Sequence, residues 1–517
     1  MSVHASIVDP EIVVGGNVSM DDSVLNESGV RRTLPFDVMA HIMAWSPRWV
    51  ISALMKTCHL YYREGPKHLL RDGVVLRSPM EVEHFLLFIR ADGGARFVHF
   101  RELDIAVDMY QVSFVDVERC MEQLAELLDF PEICLESLTL RDADCLLQYA
   151  RIASARGTRN TERLVYRRSG PRACSALKSL NCSLVSLTIS FGEYLGFYWD
   201  DVEELRTMDS WSYLLDALSP HAQTLETFRC DYDIPNACGP HPPSSSSSPQ
   251  QNTPHKLCFS AVRTLGLVCD LYPAGPIDVA SLLPTFPNVT HLEIVPMFFK
   301  RHTDTLTPLG QSLRERNKAI FERDGCWAAL EKCSGELGDL YNLGLVCHVV
   351  DLCIWSRIEH NYHLSMLATI VSTTRPKVLR LRVEYILFTF LAQVTKALRD
   401  SAFKSLDTLH IIIRHPCSKH DARRDDVTES IFAALTQLPS HIVTLELFIK
   451  CHPEADVQAL DELRCRLIAH FKPTLRNVSI LHADGHQLRP PPSGGGPQGV
   501  DSSYRDEDGY DSSDIGW

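Results

Sequence analysis

The sequence predicts an α/β protein in which a small N-terminal helical unit is followed by an irregular solenoid with a parallel sheet. Helical periodicity of apolar residues is concentrated in residues 31–72. After residue 73, one short apolar phrase recurs ten times, and helix patterns lie between its copies. Strands and helices in alternation are typical of right-handed crossovers and therefore of a parallel sheet.

Composition and charge narrow the class of protein. With 45% hydrophobic and 22% charged residues, the 517-residue chain has the composition of a globular protein. No apolar run approaches the roughly 18 residues of a membrane span, so we expect no membrane contact. A net charge of −14 disfavours binding to nucleic acid. The 17 cysteines lack CxxC pairs, and residues 1–16 do not resemble a secretory signal, so we expect reduced thiols and a cytoplasmic and/or nuclear protein.

The helical unit of residues 31–72 shows its period in two runs. We predict a first helix through the run ending at Trp45 and a second through the run ending at Tyr61. Ser46 is the expected N-cap of the second helix, with Pro47 at its first position, and Gly65 and Pro66 are expected to end it and open a third, short helix. The periodic residues are Val38, Met39, Ile42, Met43 and Trp45, then Val50, Ile51, Leu54, Met55, Cys58 and Tyr61.

Leu34 lies just before the first helix, where a side-chain oxygen would satisfy backbone N–H groups and leucine supplies none. A unit of about 40 residues can hardly bury all of this apolar surface alone. We therefore expect part of that surface, including Leu34, to contact a partner or the rest of the chain.

The same stretch resembles an F-box, the motif by which substrate receptors hold the Skp adaptor of cullin–RING ubiquitin ligases. The family opens with Leu-Pro, a variable residue and an acid, here Leu34-Pro35-Phe36-Asp37, and places Ile in the first helix, here Ile42. Its Val-Cys-Lys-x-Trp segment is approximated by Thr57 to Tyr61, but the closing Trp is missing and Trp49-Val50 replaces the usual acid-Leu pair. The pattern Leu-Met-x-Thr-Cys-x-x-Tyr from Leu54 to Tyr61, followed by Glu64-Gly65, resembles the variant common in basidiomycete fungi. The resemblance implies a Skp-type adaptor and cullin complex as partners and adaptor contacts by Leu34, Pro35, Asp37, Val38, Ile42, Leu54, Cys58 and Tyr61. An ordinary helical hairpin in a core is the alternative.

The recurring phrase has the form apolar-x-x-apolar-x-apolar. Its last two apolar positions alternate with other residues, as in a strand with one buried face. We predict one continuous parallel sheet in which these two positions face the helices. The copies begin at Phe100, Leu135, Leu184, Leu225, Val262, Val289, Val378, Leu406, Ile442 and Leu475, and either 340–345 or 349–354 is expected to supply one more.

Helix patterns lie between the phrases at 115–128, 211–218, 363–371, 427–438 and 459–471. Ser78 and Glu81 form a predicted capping box before another helix, whose buried face is Val82, Phe85, Leu86 and Ile89. One phrase and one helix per unit is the signature of leucine-rich repeats, although spacings here exceed the regular length of about 20 to 29 residues. The alternative is a non-repetitive α/β domain whose buried strands look alike.

These patterns predict a domain map. Residues 1–30 are expected to be disordered, 31–72 to form the F-box-like unit and 73–484 the repeat-like α/β domain. That domain carries a disordered Pro- and Ser-rich insertion at 239–254, and 485–517 is expected to be a disordered acidic tail.

Few residues point to catalysis or to a cofactor. The short signatures of phosphate loops, dinucleotide sites, nucleophile elbows and zinc proteases are absent, so we expect no catalytic residues, no cofactor and no metal. Seven arginines between 151 and 172 form either a solvated loop or a contact for an acidic or phosphorylated target. The strongest metal candidates are His415, Cys417, His420 and Asp421, and the strongest acid–base candidates are Glu359, His360 and His363, with loop and helix-entry roles as the alternatives.

Taken together, these features favour an interaction protein over an enzyme. The F-box resemblance implies the substrate-recognition subunit of an SCF-type cullin–RING E3 ubiquitin ligase, whose repeat domain holds an unknown protein substrate. A repeat scaffold with a vestigial F-box and no ligase role is the alternative. A hydrolase or transferase on an unrecognised α/β fold is a third hypothesis.

Overall fold

The computed structural model describes residues 35–107, 114–141, 149–153, 164–168, 177–178, 180, 182–190, 210–230, 257–269, 279–296, 308–358, 360–384, 388–414, 424–450, 457–471 and 474–482. The chain divides into two units, Met1–Leu69 and Leu70–Trp517. Leu34, Glu359, the metal candidates from His415 to Asp421, and the predicted disordered segments 1–30, 239–254 and 485–517 lie outside the described residues.

The first unit contains three helices, α1 (Phe36–Trp45), α2 (Arg48–Met55) and α3 (His59–Leu70). Helix α1 follows Pro35, whose carbonyl oxygen accepts the N–H groups of Val38 and Met39 at 3.1 and 3.2 Å. The predicted N-cap role of Ser46 is wrong, because its hydroxyl donates to the carbonyl oxygen of Ile42 at 2.7 Å and so closes α1. Pro47 occupies the N-cap position of α2 without a side-chain hydrogen bond.

The predicted second helix is divided into α2 and α3. Thr57 donates both its N–H, at 2.9 Å, and its hydroxyl, at 2.7 Å, to the carbonyl oxygen of Leu54, which ends α2. The carbonyl of Cys58 then accepts the N–H of Tyr62 and α3 begins. Helix α3 continues through Pro66 to Leu70. The expected break at Gly65 and Pro66 is therefore wrong: α3 continues past Pro66, although proline cannot donate a backbone hydrogen bond.

The second unit is built on one parallel sheet, as predicted, with thirteen strands in the described residues. Each strand pairs with the next in chain order except that a separate antiparallel pair, β4 and β5, intervenes between β3 and β6. The strands are β1 (Val74–Leu76), β2 (Glu102–Ile105), β3 (Ser137–Leu140), β4 (Tyr149–Ala153), β5 (Leu164–Arg168), β6 (Ser186–Ile189), β7 (Thr227–Cys230), β8 (Thr264–Cys269), β9 (His291–Pro296), β10 (Ala329–Gly335), β11 (His348–Arg357), β12 (Val378–Glu384), β13 (Thr408–Arg414), β14 (Thr444–Lys450) and β15 (Asn477–His482).

Two apolar rows run across this sheet in register. The second positions of successive phrases pair with one another, and so do the third positions; Leu409 pairs with Leu445, and Ile411 with Leu447. Nearly all residues of both rows are buried in one hydrophobic core that also contains helix residues such as Leu124 and Leu367. The predicted inward face of the phrase is therefore confirmed.

Helices follow most strands and supply the other side of this core. The capping box before α4 is confirmed in part, because the Ser78 hydroxyl accepts the N–H of Glu81 at 3.2 Å while the Glu81 carboxylate accepts the N–H of Arg77, not that of Ser78. All five predicted helix patterns fall on helices. The helices of this unit are α4 (Pro79–Arg90), α5 (Phe114–Leu128), α6 (Ser210–Ala217), α7 (Val279–Thr285), α8 (Pro308–Asp324), α9 (Leu337–Leu343), α10 (Asn361–Thr374), α11 (Phe388–Ala397), α12 (Arg424–Leu435) and α13 (Val457–Phe471).

Strand β10 was not predicted from the sequence, because a glycine, Gly335, occupies the third apolar position of its phrase. In register, Cys333 pairs with Leu292 in the second row, and Gly335 pairs with Ile294 in the third. A Cβ atom at Gly335 would lie 3.0 Å from the Cβ of Ile294 and 3.3 Å from the Cγ of Leu340. Neighbouring side chains thus fill the space that an apolar residue would need.

The pairing register also fixes the positions of the phrases on β12 and β11. The predicted phrase of β12, which began at Val378, is shifted by two residues, because Leu379 pairs with Leu409 and Leu381 with Ile411. The buried face is unchanged, since a shift of two preserves the alternation of a strand. Of the two candidates for an additional phrase, 349–354 is correct and lies in β11, whereas 340–345 belongs to the end of α9 and the turn after it.

The basic segment between 151 and 172 is not simply a loop. Its backbone contributes to β4 and β5, which pair antiparallel from Tyr149 opposite Arg168 to Ala153 opposite Leu164.

In the part of the chain that the structure describes, no helix has the length and apolar character needed to cross a bilayer.

Candidate protein-interaction sites

Helix α1 carries two apolar faces, of which one is buried and the other exposed. Met39 and Met43, four residues apart, are buried. Val38, Ile42 and Trp45, spaced by four and three residues, form a second stripe and are 43%, 40% and 80% exposed. Residues three and four apart lie on the same side of a helix. We call Val38, Ile42 and Trp45 the outer stripe of α1.

The exposed apolar surface of the first unit extends beyond α1. Trp49, in the first turn of α2, is 75% exposed, and Leu60, in the first turn of α3, is 48% exposed. Isolated exposed apolar residues are common, whereas contiguous apolar patches are typical of interaction surfaces. Thirty-five described residues of this unit thus present two exposed indole rings and three exposed aliphatic side chains.

The predicted adaptor-binding residues divide by exposure. Pro35, Asp37, Val38, Ile42 and Cys58 are exposed, whereas Leu54 and Tyr61 are half-buried. Asp37 lies in the first turn of α1, where its carboxylate favours the positive end of the helix dipole.

Sequence reasoning missed Trp45, Trp49 and Leu60 as surface residues. The signal for Trp45 was its spacing of three from Ile42, which puts both side chains on one stripe. No pattern in the sequence marked Trp49 or Leu60 as exposed.

The second unit offers a different surface, the open face of the sheet, which consists of the strand residues that alternate with the two apolar rows. Several charged residues on this face are paired across strands. On β7 to β9, Arg229 and Glu293 are 3.0 Å apart although β8 lies between them. The β8 residue between them is Gly266, where a Cβ would lie 2.6 Å from the Cγ of Arg229. Glycine at this place lets the arginine cross the strand to reach its carboxylate.

Two other pairs hold charges on the open face. Arg380 on β12 donates through Nε to both carboxylate oxygens of Asp351 on β11, at 3.1 and 3.2 Å. His410 on β13 contacts Glu446, its direct partner on β14. The hydrogen bond from His410 holds the pKa of the Glu446 carboxyl below its ordinary value, against a smaller opposing effect of burial.

Large apolar side chains lie among these charges. Ile412 and Phe448 pair across β13 and β14, and both are half-buried, as is Trp355 on β11. Aromatic residues and arginine are the types enriched in protein interfaces. The three paired charges have defined positions, and such a pattern of charge favours specificity over bulk attraction.

The described acid–base candidates, His360 and His363, lie close together at the start of a helix. The rings of His360 and His363 have centroids 5.3 Å apart, and the Tyr362 ring contacts both, at the start of α10.

Burial raises the pKa of the Cys120 thiol to about 12 and that of Cys353 to about 11, which disfavours the thiolate that a nucleophile or metal ligand needs. Among the described residues, no group of three or more His, Cys, Asp or Glu side chains is arranged to hold a metal ion.

Comparison with known proteins does not assign the chain to a family. No family model matches it, and no curated protein matches it in sequence.

Proposed function

We propose that this chain is the substrate-recognition subunit of an SCF-type cullin–RING ubiquitin ligase. Helices α1 to α3 would act as an F-box that holds a Skp-type adaptor, and the sheet unit, as a degenerate leucine-rich-repeat domain, would hold a protein target. The observation that carries the proposal is the outer stripe of α1. Two of its three residues, Val38 and Ile42, stand at positions where the F-box resemblance implies adaptor contact, and both are exposed apolar side chains.

The sheet unit supports the second half of the proposal. Its strands follow chain order in a common register and most carry one copy of the phrase, which is the pattern of stacked repeats. Its open face is a broad surface with fixed ion pairs and half-exposed aromatic residues, suited to a folded or extended protein target.

The mechanism is proximity. A target held by one unit and an adaptor held by the other are parts of one complex, so the target meets the charged ubiquitin carrier at a high effective concentration. The chain itself would need no active site, cofactor or metal, and it would work where its adaptor is found, in the cytoplasm and/or nucleus.

A single substitution tests the adaptor contact. Ile42→Asp places a charge within the outer stripe and should abolish binding of a Skp-type adaptor in pull-down and calorimetry. The matched control is Leu87→Asp on α4, where the leucine is 65% exposed and lies in the other unit. Both variants replace an exposed residue, so both should melt close to the wild-type temperature. Unchanged adaptor binding by Ile42→Asp would contradict this docking mode.

The scaffold hypothesis has one observation in its favour. Trp49, with its exposed indole, stands where the F-box family has an acidic residue before leucine. If the wild-type chain binds no Skp-type adaptor, the helical unit serves another partner and the ligase role is wrong. Proximity labelling with and without residues 1–72 then separates partners of the helical unit from partners of the sheet unit.

A further inference from the structure

The helical unit is basic although the chain as a whole is acidic. Residues 35–69 contain four Lys or Arg residues and two Asp or Glu residues, a net charge of +2, whereas the whole chain has a net charge of −14. One of the two acids, Glu64, is half-buried and forms an ion pair with Lys67 on α3. The other three cations are exposed, and they are Arg48, Lys56 and Arg63. The surface of this unit therefore combines exposed apolar side chains with positive charge.

One face of α2 carries both features. Trp49, Ala53 and Lys56 are spaced by four and three residues, and all three are exposed. Residues at this spacing lie on the same side of a helix. Ile51 and Met55, which have the same spacing on another side, are buried. The exposed face of α2 thus begins with an indole ring and ends, about two turns later, with an ammonium group.

Helix α3 repeats this arrangement. Leu60 lies in its first turn and Arg63 follows three residues later, and both are exposed. Side chains at this spacing are neighbours on a helix surface. The aliphatic part of an arginine can lie along apolar surface while its guanidinium group remains at the rim. A partner that covers Leu60 therefore meets a positive charge at the edge of the contact.

The two most exposed large apolar side chains among the described residues are the indoles of Trp45 and Trp49, where α1 passes into α2. They are four residues apart, so their Cα atoms are separated by at most about 14 Å. A standard protein interface buries about 800 Å² on each partner, so one partner can cover both rings. Arg48, which is exposed, lies between them in the chain. The exposed acid Asp37 lies at the other end of α1.

We propose that the partner of the helical unit covers Trp45, Trp49 and Leu60 with an apolar surface that is rimmed by Asp and Glu side chains. The proposal rests on the proposed function, in which that partner is the Skp-type adaptor. Buried tryptophans are typical anchors of protein interfaces, and the two indoles would take this role. Lys56 and Arg63 would lie opposite the partner's carboxylates, which gives complementary charge and faster association. A basic partner would be rejected, because like charges would be brought together.

Salt separates this arrangement from a contact that is limited to the outer stripe of α1. The stripe has no charged residue, so such a contact should depend little on ionic strength. A contact that includes exposed cations should weaken as salt screens them. Calorimetry with a Skp-type adaptor and the full chain measures the difference, and between roughly 50 and 500 mM NaCl we expect the affinity to fall at least about fivefold.

Two variants test the indole and the cations separately. Trp49→Ser should weaken adaptor binding about thirtyfold or more, which is the loss typical of an interface anchor. The double change Lys56→Glu, Arg63→Glu should weaken it at least about tenfold and remove its salt dependence. The matched control is Lys377→Glu, Lys404→Glu, which reverses two exposed cations of the other unit and should bind as the wild type does. Because all five residues are exposed, each variant should melt close to the wild-type temperature.

The results separate a failure of the acidic rim from a failure of the ligase role. If the wild-type chain binds no Skp-type adaptor, both are wrong. If it binds and Ile42→Asp abolishes binding, while Trp49→Ser or the reversal of Lys56 and Arg63 leaves the affinity unchanged, the ligase role stands and the acidic, apolar contact is overturned. An affinity that is constant across the salt range has the same meaning. A dimer in sedimentation that Trp49→Ser dissociates would identify a second copy as the cover and would also overturn the proposal.

Discussion

Leu409→Ala probes whether the two apolar rows hold the sheet unit together. Leu409 is fully buried, and it pairs with Leu379 on one side and Leu445 on the other, so neither neighbour can move into the space. The substitution removes three carbon atoms, which at about 0.8 kcal/mol each accounts for roughly 2.4 kcal/mol of lost burial. The residual cavity adds to this, and we expect a total loss of about 3 to 5 kcal/mol in the free energy of unfolding.

The control for this variant lies three residues further along the same strand. Ile412 is on the open face and half-buried, so Ile412→Ala should cost about 1 kcal/mol or less. Urea unfolding, followed by circular dichroism, measures both variants against the wild type. Leu409→Asp should cost more than Leu409→Ala, because it leaves an unpaired charge in the core. Equal losses for Leu409→Ala and Ile412→Ala would show that the two faces of the sheet are assigned wrongly.

Three other predictions concern the adaptor contact, the glycines and the ion pairs. The double change Leu34→Ala, Pro35→Ala should weaken adaptor binding by roughly thirtyfold or more in calorimetry, the loss of about 2 kcal/mol typical of an interface anchor, with an unchanged melting temperature; an equal loss of stability would make Leu34 a core residue. Gly335→Ala should destabilise the fold by about 1 to 3 kcal/mol in urea, because its new Cβ meets packed atoms. Gly266→Ala should destabilise the fold as well, because its new Cβ would lie 2.6 Å from the Cγ and 3.2 Å from the Cβ of Arg229, at the near end of that side chain; wild-type stability in either variant would contradict the packing described there. The wild type should lose stability as the pH falls through the lowered pKa of Glu446, since a depressed carboxyl pKa stabilises the folded state only above its unfolded value. In urea midpoints measured against pH, the difference between the wild type and Glu446→Gln should therefore shrink on acidification, and a constant difference would exclude this linkage.

The sheet was predictable because each phrase carries its own evidence. A strand with one buried face must alternate, and in a parallel stack the same positions recur on every strand, so ten weak signals reinforce one another. The positions of Leu409 and Leu445 could thus be assigned without any contact information. The failure at β10 has the same origin. Gly335 occupies a row position, and its space is filled by Ile294 and Leu340, which only the folded chain brings near.

Register was harder to predict than strand position. On β12, the predicted positions Val378, Leu381 and Val383 are all apolar and fit the phrase. Leu379 and Leu381, which pairing shows to be its last two positions, fit equally well. Local sequence cannot separate two phrases offset by an even number, since both bury the same face. Pairing with β13 decides between them, and pairing is a long-range property.

The helical unit shows most clearly that helical spacing does not predict which apolar face is buried. Helical spacing groups Val38, Ile42 and Trp45 on one side of α1, but it does not say whether that side is covered. Met39 and Met43 have the same spacing and the same apolar character, yet they are buried while the outer stripe is exposed. Which face is covered depends on what packs against α1, and helical spacing alone does not determine that. Resemblance to the F-box assigned Val38 and Ile42 to a contact without that knowledge, and their exposure is an independent reason to test them first.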